Sequence, residues 1–456
     1  MNPLARKLRT FDYFSIGFGT MVGVGWLVLM DDWLGRGGPW GAALGFLIGA
    51  ILLLPVCYVY GRLVMAVPDA GGEIAYTARV FPAGISFFTG WIMILSYLIV
   101  CPWEGIAIGK IVAYLLPGLN RIELYQLGGK PVFLPHLIIG LGCTAAIVYV
   151  NWRGVRMSAT LQSWMTAAML VLFVVFTACG LAKGNIQNTW PAFSHSSWVS
   201  ILLVLQIVPY YLAGFESIGK CAEEAGPRFR PRGFFRAIIA AMLVAAAFYC
   251  IIILSVSYAY PWRQLVQHPF ATAFALQNAV HSAWVVNLVL FAALLSLIKT
   301  FNGNFLAASR LLFALGRKQM ASSTLGRVHP ENRTPTGAVW ATGALTAAGV
   351  CLGSAILVPI TEVGALASAC GWLAACAAYF YIEPRKRERL WAITGATVAT
   401  ALIGIKLLWF VPGHFTGVEW MAFALWIGAG IIVRQQAMNA NSASHAVAAR
   451  VSVVKS

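Results

Sequence analysis

The sequence predicts an all-α integral membrane protein of about twelve transmembrane helices. Three observations carry this. Of 456 residues, 60% are hydrophobic and only 10% are charged, whereas charged residues make up roughly a quarter of an ordinary soluble domain. The apolar residues fall in long runs, and about 20 such residues cross a bilayer. Lys and Arg gather in alternate connectors, as in membrane proteins whose cytoplasmic loops are rich in positive charge. So little polar surface excludes a soluble enzyme. The net charge of +17 reads as loop charge, not as a nucleic-acid surface.

The runs begin near Phe11, Trp40, Ser86, Val132, Thr160, Trp198, Ala237, Ala283, Thr336, Glu362, Trp391 and Val418. With the N-terminus inside, the cytoplasmic segments hold Arg6, Lys7, Arg9, Arg62, Arg79, Arg153 and Arg156. They also hold Lys220, Arg228, Arg230, Arg232, Arg236, Arg310, Arg317, Lys318, Arg327, Arg333, Arg385, Lys386, Arg387 and Arg389. The outside keeps Arg36, Arg121, Lys130, Lys183 and Arg263. This bias predicts a multi-pass protein of the cell membrane with both termini cytoplasmic. Residues 1–435 form the expected transporter domain. Residues 436–456, rich in Ala, Ser and Asn, are expected to form a disordered cytoplasmic tail.

The first run is too long and glycine-rich for a cleaved signal segment. Eight of the nine cysteines lie in apolar runs and Cys221 sits at a helix end, with no metal-like spacing. Lys110 and Lys406 are close enough to span ends to snorkel. Lys299 lies mid-span, where a charge must face a cavity or a partner.

Two spans are interrupted at corresponding places. Span one reads Ile16-Gly17-Phe18-Gly19-Thr20-Met21-Val22-Gly23-Val24-Gly25-Trp26, and span six reads Val208-Pro209-Tyr210-Tyr211-Leu212-Ala213-Gly214-Phe215-Glu216-Ser217. Irregular backbone is tolerated in a membrane only where it lines protein or a polar cavity. Close helix packing through small residues would explain either segment alone. Their pairing, five spans apart, points to two inverted repeats and a transport site between them.

In these residues the chain resembles the amino acid–polyamine–organocation permeases. The glycines of span one resemble that family's unwound segment. Pro68-Asp69-Ala70-Gly71-Gly72-Glu73-Ile74-Ala75-Tyr76 resembles its cytoplasmic loop signature, and Asn151 to Ala159 the start of its fifth span. Tyr211 to Glu216 with Ala222-Glu223-Glu224 resembles its sixth span. Ser309 to Leu315, followed by His329-Pro330 and Thr334-Pro335, resembles the end of its eighth. The resemblance implies a leucine-transporter-type 5+5 inverted repeat, residues 10–182 and 198–382, plus two extra helices over 391–434. It implies sodium-independent secondary active transport of an amino acid or related amine, by proton symport or exchange, through alternating access. The chain departs from the family at Met30-Asp31-Asp32, at Arg62 and at Arg317-Lys318-Gln319. Some sodium-independent relatives carry a lysine in span five at the sodium position, and matching from Thr166 places Met169 there.

The N–H groups of Gly23, Val24, Gly25 and Trp26 open onto the positive end of the outer half-helix and suit a carboxylate. Carbonyls of Met21 and of Tyr210 to Ala213 suit an ammonium. Glu104 lies deep in span three on one face with Tyr97, Cys101 and Ile108, and a buried carboxylate marks a site or a proton relay. Glu216 fits either a proton carrier or a structural anchor. The resemblance places Lys299 beside span one, where its ammonium replaces the sodium ion of sodium-coupled relatives. The alternative is a structural pair with Glu104 or Glu216.

The expected substrate site therefore comprises Thr20, Met21, Gly23, Val24, Gly25, Trp26, Cys101, Glu104, Tyr210, Ala213, Gly214 and Asn304. Lys299 and Glu216 serve coupling or ion substitution. Trp103 and Tyr211 are further candidates for the pocket wall, and Tyr210 for a gate. No catalytic residue, metal or cofactor is expected. The partners are a small-molecule substrate and the lipid bilayer. Pro117 to Pro131 lacks a cysteine, so no disulfide-linked heavy chain is expected. Competing readings are a polyamine- or ethanolamine-type amine carrier, favoured by Glu104 and Asp31-Asp32, and a non-transporting nutrient sensor.

Overall fold

The computed structural model describes residues 4–268, 271–280, 283–353, 357–411 and 414–455. Met1 to Pro3 and Ser456, the last residue of the expected tail, lie outside the described residues. Nine helices among them are long and apolar enough to cross a membrane. A further span is made of Ser197–Leu205 and Val208–Lys220, bent by 48°. The remaining runs are shorter helices, Thr10–Met21 with 12 residues and Thr336–Cys351 with 16. Thr10–Met21 runs through Gly17 and Gly19 and stops before Gly23 and Gly25, whose helix propensity is poor. Met30–Ala66 joins two of the sequence's runs through a non-helical residue, Gly38 (φ 65°, ψ 177°). Pro39 then starts the second run, since proline is preorganised for a first helical position.

Burial sorts the helices. About 72% of the apolar window is buried in Ala83–Ala113, Asn287–Arg317 and Glu362–Ile382, but only 11% in Gly417–Ser442. Spans three, eight and ten thus sit centrally, and the last helix shows Trp420, Met421 and Leu425 outward, as a lipid-facing helix should. Arg232–Ala259 lies along Met30–Ala66 and Thr10–Met21. Their contact is filled by aromatic rings: Trp33 and Tyr249 meet edge-on at 5.5 Å, and Phe46 stacks on Tyr249 at 4.7 Å.

Two differences from the sequence reading concern the ends of elements. The loop after span three carries a short antiparallel hairpin, Glu123–Leu127 with Lys130–Phe133. Gly128 and Gly129 both have positive φ (57° and 71°), the backbone a two-residue hairpin turn requires. The tail expected to be disordered instead continues the last helix, Gly417–Lys455. Its many alanines, counted with Ser and Asn towards disorder, are strong helix formers.

The charges of the arginine-rich end are not all solvated. Lys220 and Glu73 pair at 2.6 Å, and Arg310 and Glu224 at 2.7 Å, with all four side chains fully buried. Arg317 binds Glu223 and Asp69 beside them. The sequence reading assigned Lys220 and Arg310 to cytoplasmic loop charge; their partners, Glu73 of the loop signature and Glu224 after span six, are 147 and 86 positions away. Lys406 likewise does not snorkel: it is 4% exposed and paired with Glu362.

Candidate functional site

The two interrupted spans meet. Span one leaves the helix at Val22, whose backbone is extended (φ −90°, ψ 91°), and resumes at Gly25–Val28. Span six leaves it at Ala213 (φ −70°, ψ 144°) and turns at Gly214, φ +127°. A side chain on Gly214 would lie 2.9 Å from the Met21 nitrogen and 2.9 Å from Thr20 Cγ2, so the close approach of the breaks depends on glycine there. The freed carbonyls are partly used. Met21 accepts from the Tyr249 hydroxyl at 3.0 Å. Val22 accepts from Lys299 at 2.7 Å and from Ser296 and Thr300 at 3.3 Å each. Among the described residues, the N–H groups of Val24, Gly25 and Trp26 have no backbone carbonyl partner.

A small cavity of about 50 Å³ opens between the breaks. Its wall contains Thr20, Met21, Gly23, Val24, Gly25, Glu104, Tyr210, Ala213, Gly214, Glu216 and Asn304, all expected from the sequence, together with Trp103 and Tyr211. Three expected residues do not line it. Trp26 is fully buried with its ring 5.8 Å from that of Phe176 in span five. Each helical residue rotates by about 100°, which carries Trp26 away from the face shown by Gly25. Cys101 is buried with its thiol towards the Tyr97 carbonyl, 3.5 Å away. Lys299 sits behind the span-one break. The sequence reading missed Leu29, Ser96, Val100, Gly364 and Ser368. Ser96 lies two turns before Glu104 and was within reach of the helical-face argument. Gly364 and Ser368 give no signal in a span of small residues.

The carboxylates of the wall are poorly satisfied. Glu104 is 2% exposed, and among the described residues it has neither a hydrogen bond nor an ion pair within 4 Å. A side chain added at Gly23 would come 3.6 Å from its Oε1, so this oxygen faces the break. Glu216 accepts from the Gly214 N–H at 2.9 Å through Oε2, while Oε1 has no hydrogen-bond partner within 3.5 Å among the described residues. Burying such a group unpaired is costly, and the cavity is where a partner can come from.

Lys299 is fully buried and makes no ion pair within 4 Å among the described residues. Its Nζ lies 4.9 Å from the Phe18 ring centroid. Next to it a polar network ties spans four, five and eight. Asn302 donates to Gln162 Oε1 at 3.0 Å and accepts from Asn151 and Ser158 at 3.0 Å each. Gln162 donates to the Ser15 carbonyl at 3.3 Å. A side chain on Gly19 would strike Gln162 Nε2 and approach Lys299 Cγ. The span-five residue at this level is thus Gln162, which the sequence reading did not single out.

Among the described residues no group of three His, Cys, Asp or Glu is placed to hold a metal ion. The arrangement offers hydrogen-bond donors at one end of a cavity, an unpaired carboxylate at another, and aromatic walls. It has the makings of a binding site for a small polar molecule with a positive charge.

Comparison with known proteins agrees. An amino acid permease family profile matches residues 8–432. The chain is 25% identical over 372 residues to the branched-chain amino acid permease BcaP of Bacillus subtilis (strain 168), covering 80% of this chain and 77% of that protein. It is 23% identical over 442 residues to the methylthioribose transporter of the same organism, covering 94% and 93%. It is 26% identical over 340 residues to the chloroplastic cationic amino acid transporter 9 of Arabidopsis thaliana, covering 72% and 58%.

Proposed function

The chain belongs to the amino acid permease family and is a multi-pass membrane transporter, and from that premise we propose that it carries an amino acid or related amine by sodium-independent proton symport or exchange. The single observation that carries the substrate class is Glu104, a buried carboxylate that faces the cavity with no hydrogen bond and no ion pair within 4 Å among the described residues. A substrate ammonium supplies the missing partner. The free N–H groups of Val24 to Trp26 receive a carboxylate at the start of the outer half-helix. Named relatives that carry branched-chain and cationic amino acids support an amino acid. Methylthioribose in another relative's name warns that the shared scaffold does not dictate the substrate. The amine-carrier reading keeps one supporting observation, the same free carboxylate.

Coupling without sodium follows from Lys299. Its ammonium holds the Val22 carbonyl, the kind of oxygen that otherwise coordinates a cation in broken transporter helices. The two repeats, 10–182 and 198–382, rock about the paired breaks, with both termini cytoplasmic in the cell membrane.

Counterflow in proteoliposomes tests the reading. Protein loaded with an unlabelled amino acid should take up the labelled form without any ion gradient, and a thermal-shift screen of amino acids and amines selects the candidates. Absence of saturable exchange for every compound that stabilises the protein would leave a sensor, not a carrier.

A further inference from the structure

Resting on the carrier reading above, we propose that Glu73 and Lys220 form a proton-coupling pair directly behind the substrate cavity. Both side chains are fully buried. Lys220 Nζ donates to Glu73 Oε1 at 2.6 Å and to the main-chain carbonyl of Glu216 at 3.1 Å. Tyr60 donates to the same Glu73 oxygen at 2.6 Å. The pair therefore backs onto Glu216, which is itself part of the cavity wall.

Two features mark it as more than a structural bridge. The first is a set of unsatisfied oxygens. Glu73 Oε2 and the Tyr76 hydroxyl, and in the cavity wall Glu216 Oε1 and the Tyr97 hydroxyl, have no hydrogen-bond partner within 3.5 Å among the described residues. The Tyr97 ring lies 5.0 Å and the Tyr60 ring 5.6 Å from Lys220 Nζ. The second is a charge count. Among the described residues the cations facing Glu73, Glu104 and Glu216 are Lys220 and Lys299, and all five are at most 2% exposed. A surplus negative charge in a membrane interior is costly, so with no cation bound the cluster holds one proton.

That proton has two end stations. It leaves the Glu216 carboxyl and binds Oε2 of Glu73. Glu216 becomes the carboxylate, Glu73 becomes neutral, and the net charge is unchanged. Lys220 stays at the Glu216 main chain and loses its tie to Glu73. Glu73 starts the short helix Glu73–Thr77, which lies against spans three, eight and ten, whereas Lys220 ends span six. Protonation of Glu73 thus loosens a contact between elements that a carrier must separate to open this end. The other titratable groups around the pair are Tyr60, Tyr76, Tyr97, Cys57 and Cys221. Asp69 and Glu223 lie further out, engaged by Arg317.

The test uses the full chain in proteoliposomes with labelled L-leucine and L-arginine as probes. Wild type should accumulate the transported probe about tenfold per pH unit of imposed gradient at 1:1 coupling. Glu73→Gln should keep counterflow within a few-fold and lose the pH-driven accumulation entirely. Glu73→Gln/Lys220→Met removes both charges together and should behave alike, which protects the test if the single variant fails to fold. Tyr60→Phe leaves both charges and should shift the pH dependence without lowering counterflow. Accumulation that survives in either Glu73 variant would overturn the proposal, as would exchange by wild type without pH-driven accumulation. Folded variants that lose counterflow as well would make the pair structural. If neither probe is exchanged, the carrier reading is in question and infrared spectroscopy judges the pair alone: a titrating carboxyl band of the wild type must vanish in Glu73→Gln, and its persistence overturns the assignment.

Discussion

The Lys299 ammonium donates to the Val22 carbonyl at 2.7 Å, so a charge carried by span eight closes onto the break in span one. Ser296 and Thr300 reach the same oxygen from the same helix. A hydrogen bond from a charged donor is worth about 1.5–3 kcal/mol, and the methylene stem of Lys299 packs against Gly19. Lys299→Met keeps that stem and removes the charge. Transport is expected to fall roughly tenfold to a hundredfold while the protein remains monodisperse. Replacing sodium by choline should leave wild-type uptake unchanged. Strict sodium dependence would remove the reason for a lysine at this place.

Glu104 gives a prediction about substrate charge. Its carboxylate is buried with no partner among the described residues, so it gains most from a ligand that brings an ammonium. Glu104→Gln is nearly isosteric. Affinity for a cationic amine should drop by about 1.5–3 kcal/mol, with little change for a neutral analogue of the same size. Competition binding on purified protein reads this directly. Equal losses for both ligands would point to a steric role.

Most of the fold was legible because it depends on composition and on where glycine and proline interrupt apolar runs. Span one was readable as broken because Gly19, Gly23 and Gly25 fall in one run, and span six because Pro209 and Gly214 do. The cavity's broad lining followed from the same breaks. What escaped depends on rotation about a helix axis or on contacts between distant segments. Trp26 differs from Gly25 only by one residue of helical rotation. Glu73 and Lys220 are 147 positions apart, and neither stands out within an arginine-rich end. Gln162 sits in a span whose other polar residues face neighbours without lining the cavity, so nothing in the sequence distinguished it from them.

The connector after span ten supplies a pH-dependent contact. Arg385 binds both oxygens of Glu383, through Nε at 2.8 Å and Nη2 at 3.1 Å, and holds its carboxyl down to about 2. The lowered value means that the charged form is favoured by folding. Its contribution is complete above the unfolded carboxyl value of about 4.3 and fades as pH falls from there towards about 2. The melting temperature of Glu383→Gln should therefore lie below wild type by a constant margin from about pH 8 to about pH 5, and the margin should narrow on further acidification. A margin that widens in acid would contradict the assignment.

The breaks themselves give the most direct structural prediction. Gly214 adopts φ +127° and leaves no room for a side chain against Thr20 and Met21. Gly25 has ordinary backbone, but a side chain there would come 2.7 Å from the Tyr211 ring and 3.1 Å from Trp33. The two positions should fail differently. Gly214→Ala adds a conformational penalty of about 1–3 kcal/mol to a clash between the two breaks, so it should lower both stability and transport. Gly25→Leu leaves the backbone of span one able to form and fills the cavity at the N–H groups that receive the carboxylate. It should abolish transport and binding with the protein still folded. Thermal unfolding and counterflow on the same preparations separate the two cases. If Gly25→Leu transports normally, the paired breaks are not the substrate site.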